Sequence, residues 1–377
     1  MWQEFTLVKI AVLTGWILTG SMSSVQTWFT TYPDGEECGN TTPWKDQVRC
    51  YSSPDADPGR GRWRKCRGGI KDSPVRVPDP PTVHFNLYGT CDRSWRSMEK
   101  DVEQPYWEWE SEECFLEPVN ATKFCKVMAS RKGILLVGDS LSRLMTTTLA
   151  AILGADSVEA TLMDDLWQGC DGQVPVRFLR NDYLDTRTVD TFPDMTCEHV
   201  NGQPPFGSRC KVFANNDTLS RYDTIIVNSG AHVRDMDEYV PEMLKSSSII
   251  AERMRWLHGE DALMVFRNTI PGHPDCSSRT FGGPLDEADA LSLVRSSTDK
   301  PYEWDTFSTR NELVKPGFRS SGWKILDAYT PTLLRADAHI GGKDCLHYCI
   351  PGPADHWVAL LYNMLVVHEE RSYDFSI

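Results

Sequence analysis

The chain has 377 residues, 40% of them hydrophobic and 24% charged, with a net charge of −14. This length and composition suit one large α/β domain with a smaller appendage, or two modest domains, and argue against disorder. So acidic a balance excludes nucleic acid as a partner, because phosphate binding needs clustered Lys and Arg. It would also repel acidic polysaccharides without a local basic patch.

In chain order, the first feature is the apolar run Ile10–Leu18, behind Lys9 and ahead of Thr19-Gly20-Ser21. It has the length of a signal-peptide core and is short for a bilayer span. Glu4 offsets Lys9, so a signal-anchor that also inserts Phe5 to Val8 is the alternative, and a buried amphipathic helix is the plainer reading. Residues 1–25 are therefore read as a signal peptide or a single N-terminal membrane anchor. Residues 26–125 are rich in Cys, Trp, Pro and Gly and poor in long apolar runs, which reads as loop-heavy structure pinned by disulfides. The even total of 12 cysteines joins sequons at Asn40, Asn120 and Asn216 in pointing to an oxidising, lumenal or extracellular setting. Trp is abundant, with 13 residues, which serve either packing or stacking on sugar faces.

From 126 to 377 the pattern changes. Gly133–Val137, Tyr222–Asn228, Ala262–Phe266 and Trp323–Leu326 read as short apolar strands. Ser142–Leu153, Glu242–Leu257 and the closing Trp357–Val367 read as helices. Short apolar strands separated by helices imply a parallel sheet covered on both faces. Sites on such sheets lie outside the carboxyl ends of the strands.

Two motifs carry candidate chemistry. Gly138-Asp139-Ser140-Leu141-Ser142-Arg143 follows the first of these strands. A tight strand-to-helix turn presents a Ser hydroxyl at the sheet edge and points helix N–H groups at a reacting carbonyl. The plainer reading is that Asp139 and Ser140 only cap a helix. Asp344-Cys345-Leu346-His347-Tyr348-Cys349 lies in the loop before the closing helix. Asp and His three apart share a face on a helical turn, so they can present a preassembled base pair to a distant Ser. Alternating Cys345, His347 and Cys349 would instead be soft metal ligands on a strand, although an oxidising setting favours half-cystines. The remaining alternative is a structural disulfide turn with an incidental His.

Together, the Gly138–Arg143 block and Asp344-Cys-Leu-His-Tyr-Cys-Ile-Pro-Gly352 resemble the trichome-birefringence-like and PC-esterase family of the SGNH/GDSL superfamily. Trp107-Glu-Trp-Glu-Ser-Glu-Glu-Cys114, Asp223–Gly230, Val265–Pro271 with His273, Gly341–Cys345 and Leu360–Asn363 extend the resemblance over roughly residues 91 to 367. It implies an SGNH-like three-layer α/β sandwich behind the Cys-rich N-terminal region. It also implies an O-acyl, most simply O-acetyl, transferase acting on polysaccharide or glycan hydroxyls, in the Golgi lumen or outside the cell. Carried onto this chain, Ser140 is the nucleophile, Asp344 the orienting acid and His347 the base. Ser140, Asn228 and Gly230 are the expected oxyanion donors, and Arg143, Arg267 and Tyr348 are candidate substrate contacts. The segment departs from the family's N-T-G-H-W-W, reading Asn228-Ser-Gly-Ala-His-Val233. Cys345 is expected to pair with Cys276, and Cys349 with a cysteine of the N-terminal region. No metal and no bound cofactor are expected, and an acetyl donor enters as co-substrate. An esterase with the same triad and a non-catalytic glycan-binding protein are the competing classes.

Overall fold

The computed structural model describes residues 38, 48–53, 58–75, 105–161, 163–184, 186, 197–200, 207–210, 214–233, 235–276, 281–296, 302–341 and 344–374. The apolar N-terminal run and Asn40 lie outside them. Among the described residues no helix is long and apolar enough to cross a membrane. Asn120 and Asn216 are exposed.

The described strands are β1 (Gly61–Cys66), β2 (Tyr106–Ser111), β3 (Ile134–Gly138), β4 (Asp156–Ala160), β5 (Asp164–Gly169), β6 (Val174–Arg180), β7 (Cys197–Val200), β8 (Gly207–Cys210), β9 (Thr224–Val227), β10 (Leu263–Arg267), β11 (Lys324–Leu326), β12 (His339–Gly341) and β13 (Asp344–Tyr348). The helices are α1 (Ala121–Met128), α2 (Ser140–Ile152), α3 (Asn216–Ser220), α4 (Met236–His258), α5 (Glu287–Ser296), α6 (Phe307–Ser320), α7 (Tyr329–Leu333) and α8 (Pro353–Asp374).

Seven strands form one sheet in the order β11-β10-β9-β3-β6-β5-β4. The run from β11 to β6 is parallel, and β5 and β4 extend it with antiparallel pairs. The parallel half follows from the apolar runs in the sequence, since both faces of these strands are covered. Successive side chains point to opposite faces. Ile134 and Leu136 of β3 join Val176, Phe178, Ile226 and Val265 in one core, under Leu144 and Leu149 of α2 and Trp357 and Leu361 of α8. Leu135 and Val137 join Ile225, Val227, Met264 and Phe266 in the other, under Met243 and Ile250 of α4 and Val314 and Phe318 of α6. Each such side chain contributes ~1.5–3 kcal/mol on burial. The result is an α/β sandwich of three layers, with helices on both faces of a mostly parallel sheet.

The sequence reading missed the β4–β6 side of the sheet. β5 alternates half-buried and buried positions through Asp-Asp-Leu-Trp-Gln-Gly, so it shows no apolar run. Its buried acid, Asp165, is neutralised by Arg143 rather than by solvent.

The N-terminal region contributes the antiparallel ribbon β1–β2. Trp63, Trp107 and Trp109 line its buried face, while Arg62–Glu110 and Arg64–Glu108 pair across the other. Trp63 Nε1 donates to Pro331 O, and Trp109 Nε1 to Pro58 O, both at 2.8 Å. These three Trp are packing residues, bedded edge-on or tilted against His356 of α8 in the case of Trp63 and Trp109. Disulfides Cys38–Cys66, Cys50–Cys114 and Cys125–Cys170 tie the region together and onto the sheet.

Asp355, in the first turn of α8, accepts a hydrogen bond from Ser73 Oγ at 3.0 Å. Burial pushes its carboxyl up to about 7, and hydrogen bonds from Gly352 N–H, Ser73 and Tyr106, with the charge of Arg335, hold it from going further. A carboxyl raised in the folded state stabilises fully below its unfolded value and loses that contribution as pH rises through about 7. Asp355→Asn should therefore raise the melting temperature at mildly alkaline pH by roughly 2 °C or more, and change it little in acid. Thermal unfolding against pH measures this, and a wild-type profile in the variant would contradict it.

Candidate functional site

β3 is buried along its whole length and ends at Gly138, where the chain turns directly into α2. A side chain at Gly138 would meet Ser142 Oγ at 2.4 Å and the Asn228 carbonyl oxygen at 2.7 Å, so only glycine permits the turn. Asp139 is extended and caps α2, its Oδ1 accepting from Leu141 N at 2.9 Å. The capping reading of the motif is thus correct for Asp139. It is compatible with a role for Ser140, which stands half-buried at the first turn with its hydroxyl free of the cap. The site lies where the chain order reverses across the sheet, because β6 and β9 flank β3 on opposite sides.

Ser140 Oγ is 2.7 Å from His347 Nε2. His347 Nδ1 is 2.8 Å from Asp344 Oδ2 and 3.0 Å from Oδ1. Burial opposes the Asp344 charge, but the hydrogen bonds and charge of His347 and the N–H groups of His347 and Leu346 outweigh it and hold the carboxyl at about 2. At neutral pH Asp344 is therefore an acceptor only. Nδ1 carries the imidazole proton, and the Nε2 lone pair is left for the Ser140 hydroxyl. The arrangement can deprotonate Ser140 and later return the proton to a leaving group.

The Asp–His pair is not on a helical turn, as its spacing suggests. It lies on β13, which pairs with β12 in a two-stranded ribbon. On a regular strand residues three apart point to opposite faces. Here Asp344 Oδ1 folds back onto Leu346 N at 3.2 Å and His347 N at 3.0 Å, and this local bend brings the two side chains together.

β13 is braced by the segment after β10. His273 N donates to Cys345 O at 3.0 Å, and Tyr348 Oη donates to Pro271 O at 2.7 Å. Cys276 is disulfide-bonded to Cys345, the pairing expected from the sequence. Cys349 is also a half-cystine, and its partner is not among the residues whose side chains are described. With both sulfurs oxidised, the metal-ligand reading of Cys345, His347 and Cys349 is set aside.

Several expected roles do not fit the geometry. Asn228 is fully buried, and its amide donates inward, to Arg267 O at 3.0 Å and Thr269 Oγ1 at 3.2 Å, so it has no donor left for an oxyanion. Gly230 is buried at φ +147°, and its carbonyl accepts from Arg310 Nη1, a bond that does not engage the N–H on which its expected donor role rests. Arg143, expected to contact substrate, is buried in a two-pronged ion pair with Asp165 at 2.6 and 3.1 Å. Arg267 is wholly buried beside the Trp357 ring and bonds Ser142 Oγ and Asn268 O. Burial pulls its guanidinium down to about 10, opposed by the charge of Asp139. Tyr348 is fully buried under His339. None of these three presents an atom to an open surface, so the substrate-contact reading is corrected for each.

Other residues at the strand ends carry no apolar or motif signal. Gly138 and Arg180 are register partners across β3 and β6, and Arg180 forms an ion pair with Asp182 at 3.0 Å. His232 is buried, with neither ring nitrogen hydrogen-bonded, 3.8 Å from Asp182 and edge-on to Tyr302. The charges of Asp344, Asp139, Arg180 and Asp182 all reach the Tyr302 hydroxyl, which burial pushes up. These polar groups thus lie within electrostatic reach of one another near the carboxyl ends of β3, β6 and β9.

A three-layer α/β sandwich with a serine at a strand end and an Asp–His pair on a bent strand remote in sequence defines a scaffold of the SGNH kind. The family model described as PC-Esterase, a GDSL/SGNH-like acyl-esterase family found in Pmr5 and Cas1p, matches residues 116–364. The chain belongs to this PC-esterase family. It is similar to protein trichome birefringence-like 25 of Arabidopsis thaliana, with 22% identity covering 78% of this chain and 76% of that one. It is similar too to probable xylan O-acetyltransferase 11 of Oryza sativa subsp. japonica, at 25% identity over 70% and 76% of the two chains. Xyloglucan O-acetyltransferase 1 of Arabidopsis thaliana matches at 21% identity over 69% and 70%.

Replacing Cys276 and Cys345 by Ser should cost ~2–5 kcal/mol and loosen β13 against the segment that braces it. Denaturant unfolding reads the loss, and an unshifted midpoint would contradict it.

Proposed function

We propose that this protein is a serine-dependent O-acetyltransferase that acylates polysaccharide hydroxyls through an acyl-Ser140 intermediate. The observation that carries the proposal is the unbroken hydrogen-bond chain Ser140–His347–Asp344, with links of 2.7 and 2.8 Å. His347 takes the Ser140 proton as Oγ attacks the acyl carbonyl, and the oxygen that gains charge is met by the Ser140 N–H at the start of α2. Collapse expels the donor's leaving group with a proton from His347. A sugar hydroxyl, deprotonated by the same imidazole, then takes the acyl group and frees Ser140. Asp344 orients the ring and stabilises the imidazolium formed in both halves.

Membership of an acyl-esterase family supports the acyl chemistry, and relatives named as xylan and xyloglucan O-acetyltransferases support transfer to a polysaccharide. The donor is assigned as an acetyl ester or thioester co-substrate. The disulfides and exposed sequons support a lumenal or secreted protein, in the Golgi if the N-terminal run is an anchor.

Ser140→Ala and His347→Ala should each abolish turnover and leave the fold intact. Asp344→Asn should retain more activity and still lose ~10²–10⁴-fold. Mass spectrometry of the Ser140 peptide after incubation with an acetyl donor should find the acyl adduct in the parent and none in Ser140→Ala. Near-parental turnover in any of the three variants would sink the assignment.

Transfer and hydrolysis use the same residues and differ in how the acyl-enzyme partitions. With an acetyl donor and rising oligosaccharide, most acetyl should pass to sugar at saturating acceptor. Free acetate dominating with every acceptor, alongside ready deacetylation of acetylated polysaccharide, would make the protein an esterase.

A further inference from the structure

Behind β13 two buried histidines face each other. His273 Nδ1 lies 2.7 Å from His339 Nε2. Their other nitrogens are both committed, His273 Nε2 to Leu333 O at 2.7 Å and His339 Nδ1 to the carbonyl oxygen of His347 at 2.9 Å. A carbonyl oxygen only accepts, so each of these outer nitrogens carries its hydrogen. If both rings were neutral, the two facing nitrogens would each hold a lone pair. Two lone pairs do not approach to 2.7 Å in a buried site without a proton between them.

We propose that His273 and His339 share one proton across this contact, and that the pair is a positioning device which holds the His347 backbone in place for the Ser140 reaction. The second half of this inference rests on the catalytic reading of His347, and the proton count does not. The pair carries one positive charge spread over two rings. Its surroundings suit that charge. His339 stacks on the Tyr348 ring at 4.1 Å between centroids, with the π face toward the imidazole. Asp337 lies within electrostatic reach of His273, and Asp344 within reach of His339. Two carbonyl oxygens receive the outer N–H groups.

The opposing terms are also clear. Burial pulls His273 down to about 4 and His339 well below its ordinary value, and the neighbouring imidazoles of His273 and His347 lower His339 as well. Arg335 is near but is paired with Asp337 at 2.8 Å, and the buried Tyr348 and Tyr329 hydroxyls remain neutral. A single isolated imidazole here would be neutral. The shared proton is held because removing it leaves facing lone pairs, and adding a second leaves facing N–H groups. Either change drives the rings apart and releases the carbonyl of His347. Tyr348 Oη, 3.4 Å from His273 Nδ1, already donates to Pro271, so it cannot satisfy that nitrogen instead.

The test is nuclear magnetic resonance of the full chain with nitrogen-labelled histidine at neutral pH. Three of the four ring nitrogens of His273 and His339 should be protonated, and one far-downfield proton should correlate with both rings. That signal should vanish in His273→Gln, which keeps a donor for Leu333 O. In parallel, His339→Phe, which keeps the stack on Tyr348 and removes the bond to His347, should lower kcat by ~10²-fold with KM for the ester donor unchanged. If His339→Phe does not fold, His273→Gln supplies the same kinetic comparison. Two singly protonated neutral rings would overturn the shared proton, and parental kcat in a folded variant would overturn the positioning role. A parent that never acylates Ser140 overturns the catalytic reading of His347 and with it the positioning role, while the proton count is still decided by the spectrum.

Discussion

The site depends on one constraint: a short strand remote in sequence must be held so that His347 meets a serine 207 residues earlier in the chain. Ser140 is fixed by the sheet, since β3 is buried throughout and α2 starts two residues after its end, with Asp139 as the cap between them. β13 belongs to a separate two-stranded ribbon and, among the described residues, has no ladder with the main sheet. Its position must come from elsewhere. The segment from Pro271 to Cys276 supplies it, through a backbone hydrogen bond, a tyrosine hydroxyl, a disulfide and the His273–His339 contact. Gly272 belongs to the same constraint, because a side chain there would meet Cys345 O at 2.4 Å.

Each brace acts on a different degree of freedom. The disulfide fixes Cys345, the Tyr348 hydroxyl fixes the far end of the strand, and His339 holds the carbonyl of His347 itself. The imidazole is then oriented by Asp344, whose own carboxylate is steadied by two N–H groups of its strand. A reacting geometry held to fractions of an ångström needs this kind of redundancy, since a displacement of about 1 Å can cost ~10²-fold in rate. The aromatic residues of the block serve the brace as well. Tyr348, expected from the family resemblance to contact substrate, is a buried strut.

The charged residues near the serine divide on the same logic. Arg143 and Arg267 are invested in the scaffold, one neutralising Asp165 on β5 and the other buried beside Trp357. Arg180, Asp182 and His232 lie at or just beyond the ends of β6 and β9, and Tyr302, from the segment before α6, packs edge-on against His232. No regular pattern marks them, because they come from three separate segments of the chain whose juxtaposition exists only after the sheet has formed.

What the sequence determined by itself was whatever is local. Continuous apolar runs marked the parallel strands β3, β9, β10 and β11, since a strand covered on both faces has no polar side, whereas β6, interrupted by Pro175 and Arg177, carried no such mark. Gly138-Asp139-Ser140 marked a strand-to-helix turn, and the block ending at Cys349 marked the base pair, because both are contiguous and chemically unusual. Tertiary structure alone decided the rest. Whether Asp344 and His347 share a helix face or a bent strand depends on hydrogen bonds back to the strand's own N–H groups, and spacing is the same in both. Whether Asn228 points at an oxyanion or at Arg267 O depends on which neighbour its amide finds on β10. Whether Arg143 meets substrate or Asp165 depends on a strand, β5, whose acidic alternation hid it. Burial and partner are properties of the folded chain, and a charged or amide side chain carries no local mark of which partner it will have.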